Sequence, residues 1–208
     1  MPREEMLGRV RSALGIHAVQ SPPPVRLRIA EIPGQSRTDR MLERVAALAG
    51  KTLQANAAEA RAYVAETLGG KSAIASNAPF LKDCGITDLP NVRSGIVDRA
   101  ELRELCATCD FGITSADYAL ADTGTLVMLS SPREARMISL LPPAHIAVVP
   151  AHKILSGLDE LLTLLPRPAE QTSSMVLITG PSRTGDIEQI LVRGVHGPGE
   201  FHVIVVDA

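Results

Sequence analysis

Tyr118-Ala-Leu-Ala-Asp-Thr-Gly-Thr-Leu-Val-Met-Leu129 holds two short apolar runs on either side of Asp122-Thr123-Gly124. Short apolar runs interrupted by an Asp/Thr/Gly cluster predict two strands joined by a hairpin turn. Toward the C-terminus the pattern predicts a helix over 132–140, a strand over 145–149, a helix over 153–164, a strand over 175–179, a helix over 186–193 and a strand over 201–206. Strands alternating with helices of this length need crossover connections, which predicts an α/β fold with a mostly parallel sheet and helices on both faces. Toward the N-terminus, helices are expected over 99–109, 57–68 and 38–50, with a short strand at Ala73-Ile-Ala75. Residues 4–14 place Met6, Val10 and Leu14 at helical spacing, and Ser21-Pro-Pro-Pro-Val25 then forms a stiff spacer. The expected organisation is an N-terminal helical arm with a Pro-rich spacer (1–35) and an α/β domain (36–208).

The composition narrows the function. A chain of 208 residues can bury roughly 70% of its unfolded surface without help from metal or disulfide. Lys and Arg number 21 and Asp and Glu 23, for a formal charge of −2, which excludes a basic nucleic-acid coat and an acidic disordered chain. Aromatic residues are only 2% and Trp is absent, so the core must be aliphatic and base-stacking platforms are excluded. The odd set Cys84, Cys106 and Cys109 argues against a disulfide framework and for a reducing compartment. The start carries charges where a signal peptide needs an apolar core. Runs such as Ile146–Val149 fall far short of the ~20 residues of a membrane helix. A cytoplasmic protein with no membrane insertion and no nucleic-acid partner is expected.

Two strand-to-helix turns could carry chemistry. Ser131-Pro132-Arg133-Glu134 has the form of a capping box, in which the hydroxyl takes an orphan amide and Glu134 reaches back. Arg133 and Arg136 stay available there to hold an anion. The second turn is Gly180-Pro181-Ser182-Arg183-Thr184-Gly185-Asp186-Ile187-Glu188. It is expected to leave a strand at the carboxyl edge of the sheet and open a helix, a position suited to ligands. Arg183 is opposed by Asp186 and Glu188, so a single carboxylate fits better than a highly charged phosphate. With strands 125–130, 145–149 and 175–179 parallel, Ser131 and the Gly180 turn share one sheet edge. The Asp122 turn then falls at the other, roughly 17–20 Å away.

Cys106-Ala-Thr-Cys109 sits at the end of a predicted helix, the unfavourable pole for a reactive thiolate, and lacks the further ligands of a zinc site. The five histidines form no HExxH pattern, and structural roles are expected for His145, His152 and His202.

Ala121-Asp-Thr-Gly-Thr-Leu-Val127, Leu140-Leu-Pro-Pro-Ala-His-Ile-Ala-Val148, Ile178-Thr-Gly-Pro-Ser-Arg-Thr-Gly-Asp-Ile-Glu-Gln189, Gly194-Val-His-Gly-Pro198 and Phe201-His-Val-Ile-Val205 together resemble the lactate utilisation protein C family of LUD-domain proteins. The order and spacing of the segments match, most densely from Gly112 to Val206. The resemblance implies a fold like that of ribose-phosphate isomerases, glucosamine-phosphate isomerases and CoA transferases. It further implies a part in bacterial oxidation of L-lactate to pyruvate, alongside partner proteins that carry iron–sulfur clusters. Three cysteines with one CxxC cannot ligate such a cluster here, so no cofactor is expected in this chain.

The family's motif weight falls on Asp122, Thr123, Gly124 and Thr125, on Gly180, Pro181, Ser182, Arg183, Thr184, Asp186 and Glu188, and on His196. Where Asp122 stands the family often has Glu, so the acid is shorter here. On this reading Arg183 would pair a substrate carboxylate, with Ser182 and Thr184 orienting it. Two other readings stay open: a stand-alone phosphosugar or acyl-CoA enzyme with Asp122 as acid/base or nucleophile, and a non-catalytic adaptor whose arm recruits a partner.

Overall fold

A computed structural model describes residues 3–14, 32–184 and 192–207. In chain order it holds α1 (Arg3–Leu14), α2 (Gly34–Ala47), β1 (Lys51–Ala55), α3 (Ala57–Leu68), β2 (Ala73–Ala75), α4 (Pro79–Asp83) and β3 (Val92–Arg93). Next come α5 (Arg99–Thr108), β4 (Phe111–Ser115), β5 (Tyr118–Leu120), β6 (Thr125–Leu129), β7 (Ala144–Pro150) and β8 (Ile154–Leu155). The remainder is α6 (Leu158–Leu164), α7 (Pro168–Gln171), β9 (Met175–Ile178), β10 (Arg183–Thr184), β11 (Val192–Arg193) and β12 (Glu200–Val206). The Pro-rich spacer lies outside the described residues.

Local chemistry sets the clearest boundaries. Asn56 caps α3 by accepting from the Glu59 amide at 3.0 Å, while the Glu59 carboxylate accepts from the Asn56 amide at 3.0 Å. Gly69, at φ 53°, ends the same helix in the left-handed region.

Six strands form a wholly parallel sheet in the order β1-β12-β7-β4-β2-β3. Its central strands are buried on both faces and alternate strictly. Ile146, Val148, Ile204 and Val206 pack with Ala60, Val64 and Leu68 of α3 and Leu81 of α4. Ala147, Val149, Val203 and Val205 point the other way, onto Met41 and Val45 of α2 and Ala119, Leu126 and Met128 of a second sheet. That second sheet, β8-β5-β6-β9, is mixed and small. The α/β class with a mostly parallel sheet therefore stands, with one face of the sheet covered by α2 and four further strands.

Four expectations are corrected. The helix over 132–140 is a single 3-10 turn at Arg136–Ser139: Pro142-Pro143 follow at once, and the Glu134 side chain leaves the cap for the Ser76 hydroxyl. The helix over 153–164 shrinks to α6 because Ile154 and Leu155 pair with Ala119 and Leu120 as a strand. Strand β9 runs antiparallel to β6 in the small sheet rather than parallel to β7. Finally, Val192–Arg193, expected to end a helix, pairs antiparallel with Arg183–Thr184 in a two-stranded β-ribbon. Residues 186–191 of the expected helix lie outside the described residues.

The parallel sheet and the 3-10 turn meet with almost no space at Gly112. A Cβ there would lie 1.8 Å from the Ile138 carbonyl oxygen and 3.1 Å from Pro142 Cγ. Gly112→Ala is expected to cost about 3 kcal/mol or more, since backbone cannot yield as a side chain can. Urea denaturation checks it, and a loss below about 0.5 kcal/mol would contradict this packing.

Candidate functional site

The two glycine turns meet. Thr125 and Thr179 share a hydroxyl hydrogen bond at 2.8 Å, and Thr123 adds another to Thr125 at 2.8 Å. The expected separation of the Asp122 and Gly180 turns is thus corrected, because antiparallel β6 and β9 put the start of one beside the end of the other. The same pairing moves Ser131 to the opposite edge from Gly180.

Both turns press on the C-terminal half of α2. Gly124, at φ 71°, brings its backbone so close that a Cβ would meet Arg44 Cβ at 2.8 Å and the Val45 nitrogen at 2.9 Å. Gly180, at φ 88°, does the same against Leu48 Cβ at 3.1 Å. The Arg183 guanidinium donates to the Leu48 carbonyl, one of the orphan acceptors at the end of α2. Pro181 is buried, Ser182 and Thr184 are half-buried, and the Ser182 amide donates to the Pro198 carbonyl at 2.8 Å. His196 is exposed on the 194–199 loop, and Asp186 and Glu188 lie outside the described residues. Asp122 is half-buried and lines a depression with Asp39, Arg40 and Glu43, where carboxylates outnumber the single cation. Gly124→Ala should therefore cost about 2–4 kcal/mol, combining positive φ with overlap onto α2. The neighbouring exposed Thr123→Ala should cost less than about 1 kcal/mol. Equal effects in thermal denaturation would contradict the clamp.

A different concavity opens at the carboxyl edge of the parallel sheet, where α/β folds hold ligands. It has a volume of about 630 Å³, and its polar lining comes from Ser115, Asp117, Ser131, Arg133, Glu134 and Lys153. The chain builds it by changing sheets. After β4 it turns at Ala116-Asp117 and enters β5; the Asp117 carboxylate accepts from the Leu129 amide at 2.7 Å and pins the start of β5 to the end of β6. The segment after β6 crosses the ends of β2 and β4, held by the Asn77 amide donating to the Arg133 carbonyl at 2.9 Å. That crossing carries Glu134 inward.

Glu134 is 6% exposed. Its Oε2 accepts from the Ser76 hydroxyl at 2.8 Å, while Oε1 is buried with no partner among the described residues. Burial pushes its carboxyl up to about 8; the Ser76 hydrogen bond opposes the shift, the Asp117 charge adds to it, and the Ser115 amide opposes it. Burial also raises the Asp117 carboxyl, against the Leu129 amide, its own amide and the Lys153 charge. Lys153 is half-buried, its ammonium 5.2 Å from the centre of the Tyr118 ring. Arg133 is exposed at the rim. Two carboxyl groups with raised pKa beside two cations in one cleft is an arrangement suited to holding a small anion and moving protons.

The sequence marks Ser131 and Glu134 only as a helix cap and leaves Arg133 available for an anion, and it gives no such role to Asp117, Lys153 or Ser76. Asp117 did leave a signal, as a lone acid between two apolar strands. The Ser76–Glu134 contact spans 58 residues and leaves none.

The buried histidines and cysteines are packed into the fold. His145 is fully buried, held down to about 3 by burial and by His202, and shares a 2.8 Å hydrogen bond with Thr114. His202 joins Tyr63 and Glu200 at 2.9 Å each. Cys84, Cys106 and Cys109 are buried free thiols raised by burial, Cys106 to about 11. No cluster of three or more His, Cys, Asp or Glu able to hold a metal occurs among the described residues, and no described helix is long and apolar enough to cross a membrane.

A carboxyl whose pKa is raised on folding binds its proton more tightly in the native state. Its contribution to stability is full below the unfolded value near 4.5 and is lost as pH climbs toward about 8. Glu134→Gln removes that loss. The variant's advantage in melting temperature over the parent should be larger at pH 8 than at pH 5; a difference independent of pH would contradict the buried acid.

Comparison with known proteins agrees with this architecture. The LUD domain model matches residues 38–206. Lactate utilization protein C of Halalkalibacterium halodurans is 36% identical over 152 residues, covering 69% of this chain and 66% of that protein. Its counterpart in Macrococcus caseolyticus is 35% identical over 164 residues, covering 76% of this chain and 71% of the relative. The chain thus aligns with about two thirds of its relatives' lengths. A crystal structure of a DUF162 family protein from Deinococcus radiodurans shares the fold, with a TM-score of 0.63 at 20% identity, covering 84% of this chain and 99% of that one. The matched span runs from the helix gripped by both glycine turns to the last strand of the parallel sheet, and the chain belongs to the LUD domain family.

Proposed function

We propose that this protein takes part in lactate utilisation, as a cytoplasmic component of L-lactate oxidation to pyruvate. In this reading the carboxyl-edge cleft binds the small carboxylate. The observation that carries the cleft assignment is the juxtaposition of Arg133 and Lys153 with Asp117 and Glu134 in one concavity. A carboxylate would meet Arg133 at the rim and Lys153 further in. Arg183, proposed from sequence for that task, already donates to the Leu48 carbonyl. The Asp122–Thr125 and Gly180–Thr184 turns, including Gly124 and Gly180, then serve the site indirectly by fixing α2 and the small sheet.

The chemistry of electron removal is proposed to lie with iron–sulfur partner proteins. The relatives' name supports a part in lactate utilisation, and the three buried thiols of this chain support placing the clusters elsewhere. The N-terminal arm, residues 1–35, is proposed as a unit apart from the α/β domain, and α1 exposes Met6 and Val10 as a face for such a partner.

Deleting the gene should abolish growth on L-lactate and leave growth on other carbon sources intact. The wild-type chain should restore it, and the double variant Arg133→Gln/Lys153→Gln should not. Undiminished lactate growth of the deletion strain would contradict the pathway; full rescue by the double variant would contradict the cleft.

A further inference from the structure

Glu134 is placed unlike any other acid among the described residues. Of the others that line depressions, Asp39, Glu43, Asp98 and Glu104 are exposed, and Asp117 and Asp122 are half-buried. Glu134 is brought under a crossing segment to the floor of the cleft, is 6% exposed, and engages one oxygen with Ser76. Its other oxygen is buried and makes no well-formed hydrogen bond among the described residues, the Ser115 amide being the further donor near the carboxyl. A native fold rarely leaves such an atom without a use, because an unmet buried polar group costs about 1–3 kcal/mol.

The two oxygens have complementary roles if the group is a neutral acid. Oε2, facing the Ser76 hydroxyl, is then the carbonyl oxygen and accepts. Oε1 carries the proton and is a hydrogen-bond donor awaiting an acceptor. The charges around it set what that acceptor is. Asp117, from the corner between β4 and β5, repels a ligand carboxylate from the floor, whereas Arg133 from the crossing segment and Lys153 after β7 attract it toward the rim. A ligand that satisfies both ends has a carboxylate outward and an uncharged oxygen inward.

We propose that Glu134 is the cleft's specificity-determining donor, giving a hydrogen bond from Oε1 to the oxygen on the carbon next to the ligand's carboxylate, so that the site selects 2-oxo and 2-hydroxy acids over plain carboxylates. Ser76 is its positioning residue, fixing which oxygen holds the proton. This inference rests on the proposed carboxylate site and adds the group that distinguishes among carboxylates. Because burial holds Glu134 protonated up to about pH 8, the preference is present at neutral pH and fades in alkali.

The test is calorimetric titration of the purified full-length protein with pyruvate and with acetate, at pH 7 and pH 9. The parent should bind pyruvate about tenfold more tightly than acetate at pH 7. That preference should shrink by about tenfold at pH 9, as Glu134 ionises. Glu134→Gln, whose amide donates without titrating, should keep the preference at both pH values. Glu134→Leu should lose it, its affinities for pyruvate and acetate becoming equal, and Ser76→Ala should reduce the preference for pyruvate. Pyruvate preference in Glu134→Leu equal to the parent's would overturn the role of Glu134 and leave the carboxylate site standing. Equal affinity of the parent for both ligands would do the same. Failure of the parent to bind either ligand would overturn the carboxylate site itself, and with it the proposed donor.

Discussion

One chain must pass from the parallel sheet into a smaller mixed sheet, and it does so at Ala116-Asp117. The corner is held by backbone pairing on both sides: the Ala116 amide donates to the Val148 carbonyl at 3.3 Å and the Asp117 amide to the Val127 carbonyl at 3.0 Å. The two sheets pack face to face, and the cleft opens beside the corner where the chain passes from one to the other. A concavity is left, and the segment after β6 has to bridge it. Glu134 rides on that bridge, and its burial follows from where the bridge lands rather than from any local preference of the residue. Loop residues placed by a rigid scaffold in this way are where binding chemistry usually resides.

The glycine-rich motifs do their work on the opposite side of the small sheet. Gly124 and Gly180 have no side chain where α2 needs to lie, and Arg183 meets a carbonyl that the end of α2 leaves open. Met41 and Val45, both at 0% exposure, are thereby pressed onto the parallel sheet through the apolar layer shared with Ala147, Val149 and Phe201. Each buried aliphatic side chain of that kind contributes on the order of 1.5–3 kcal/mol. The Asp122–Thr125 and Gly180–Thr184 turns are thus partly a packing device.

What could be read from sequence was whatever is locally encoded. The span Ala57–Leu68 and its glycine stop, the strand Ala73–Ala75, and the hairpin around Asp122–Gly124 each carry their own turn or cap chemistry. Partner choice is not locally encoded. Strand β9 has the same apolar character whether it pairs with β7 or β6, and only the route of the connection through α6 and α7 decides, so parallel order over 145–178 was the natural and mistaken inference. The cap at Ser131 failed for a related reason. Its hydroxyl does accept from the Arg133 and Glu134 amides, at 3.2 and 3.1 Å, as a helix start requires. The Glu134 side chain then found a partner 58 residues away that no local rule contains.

The proposed ligand site lies in the cleft between Asp117 and Glu134 and not at the Gly180 turn. A crystal structure of the full-length protein soaked with pyruvate tests it most directly. The account predicts density for one pyruvate with its carboxylate between Arg133 and Lys153 and its second oxygen beside Glu134 Oε1. Density beside Arg183, with the guanidinium withdrawn from the Leu48 carbonyl, would contradict it.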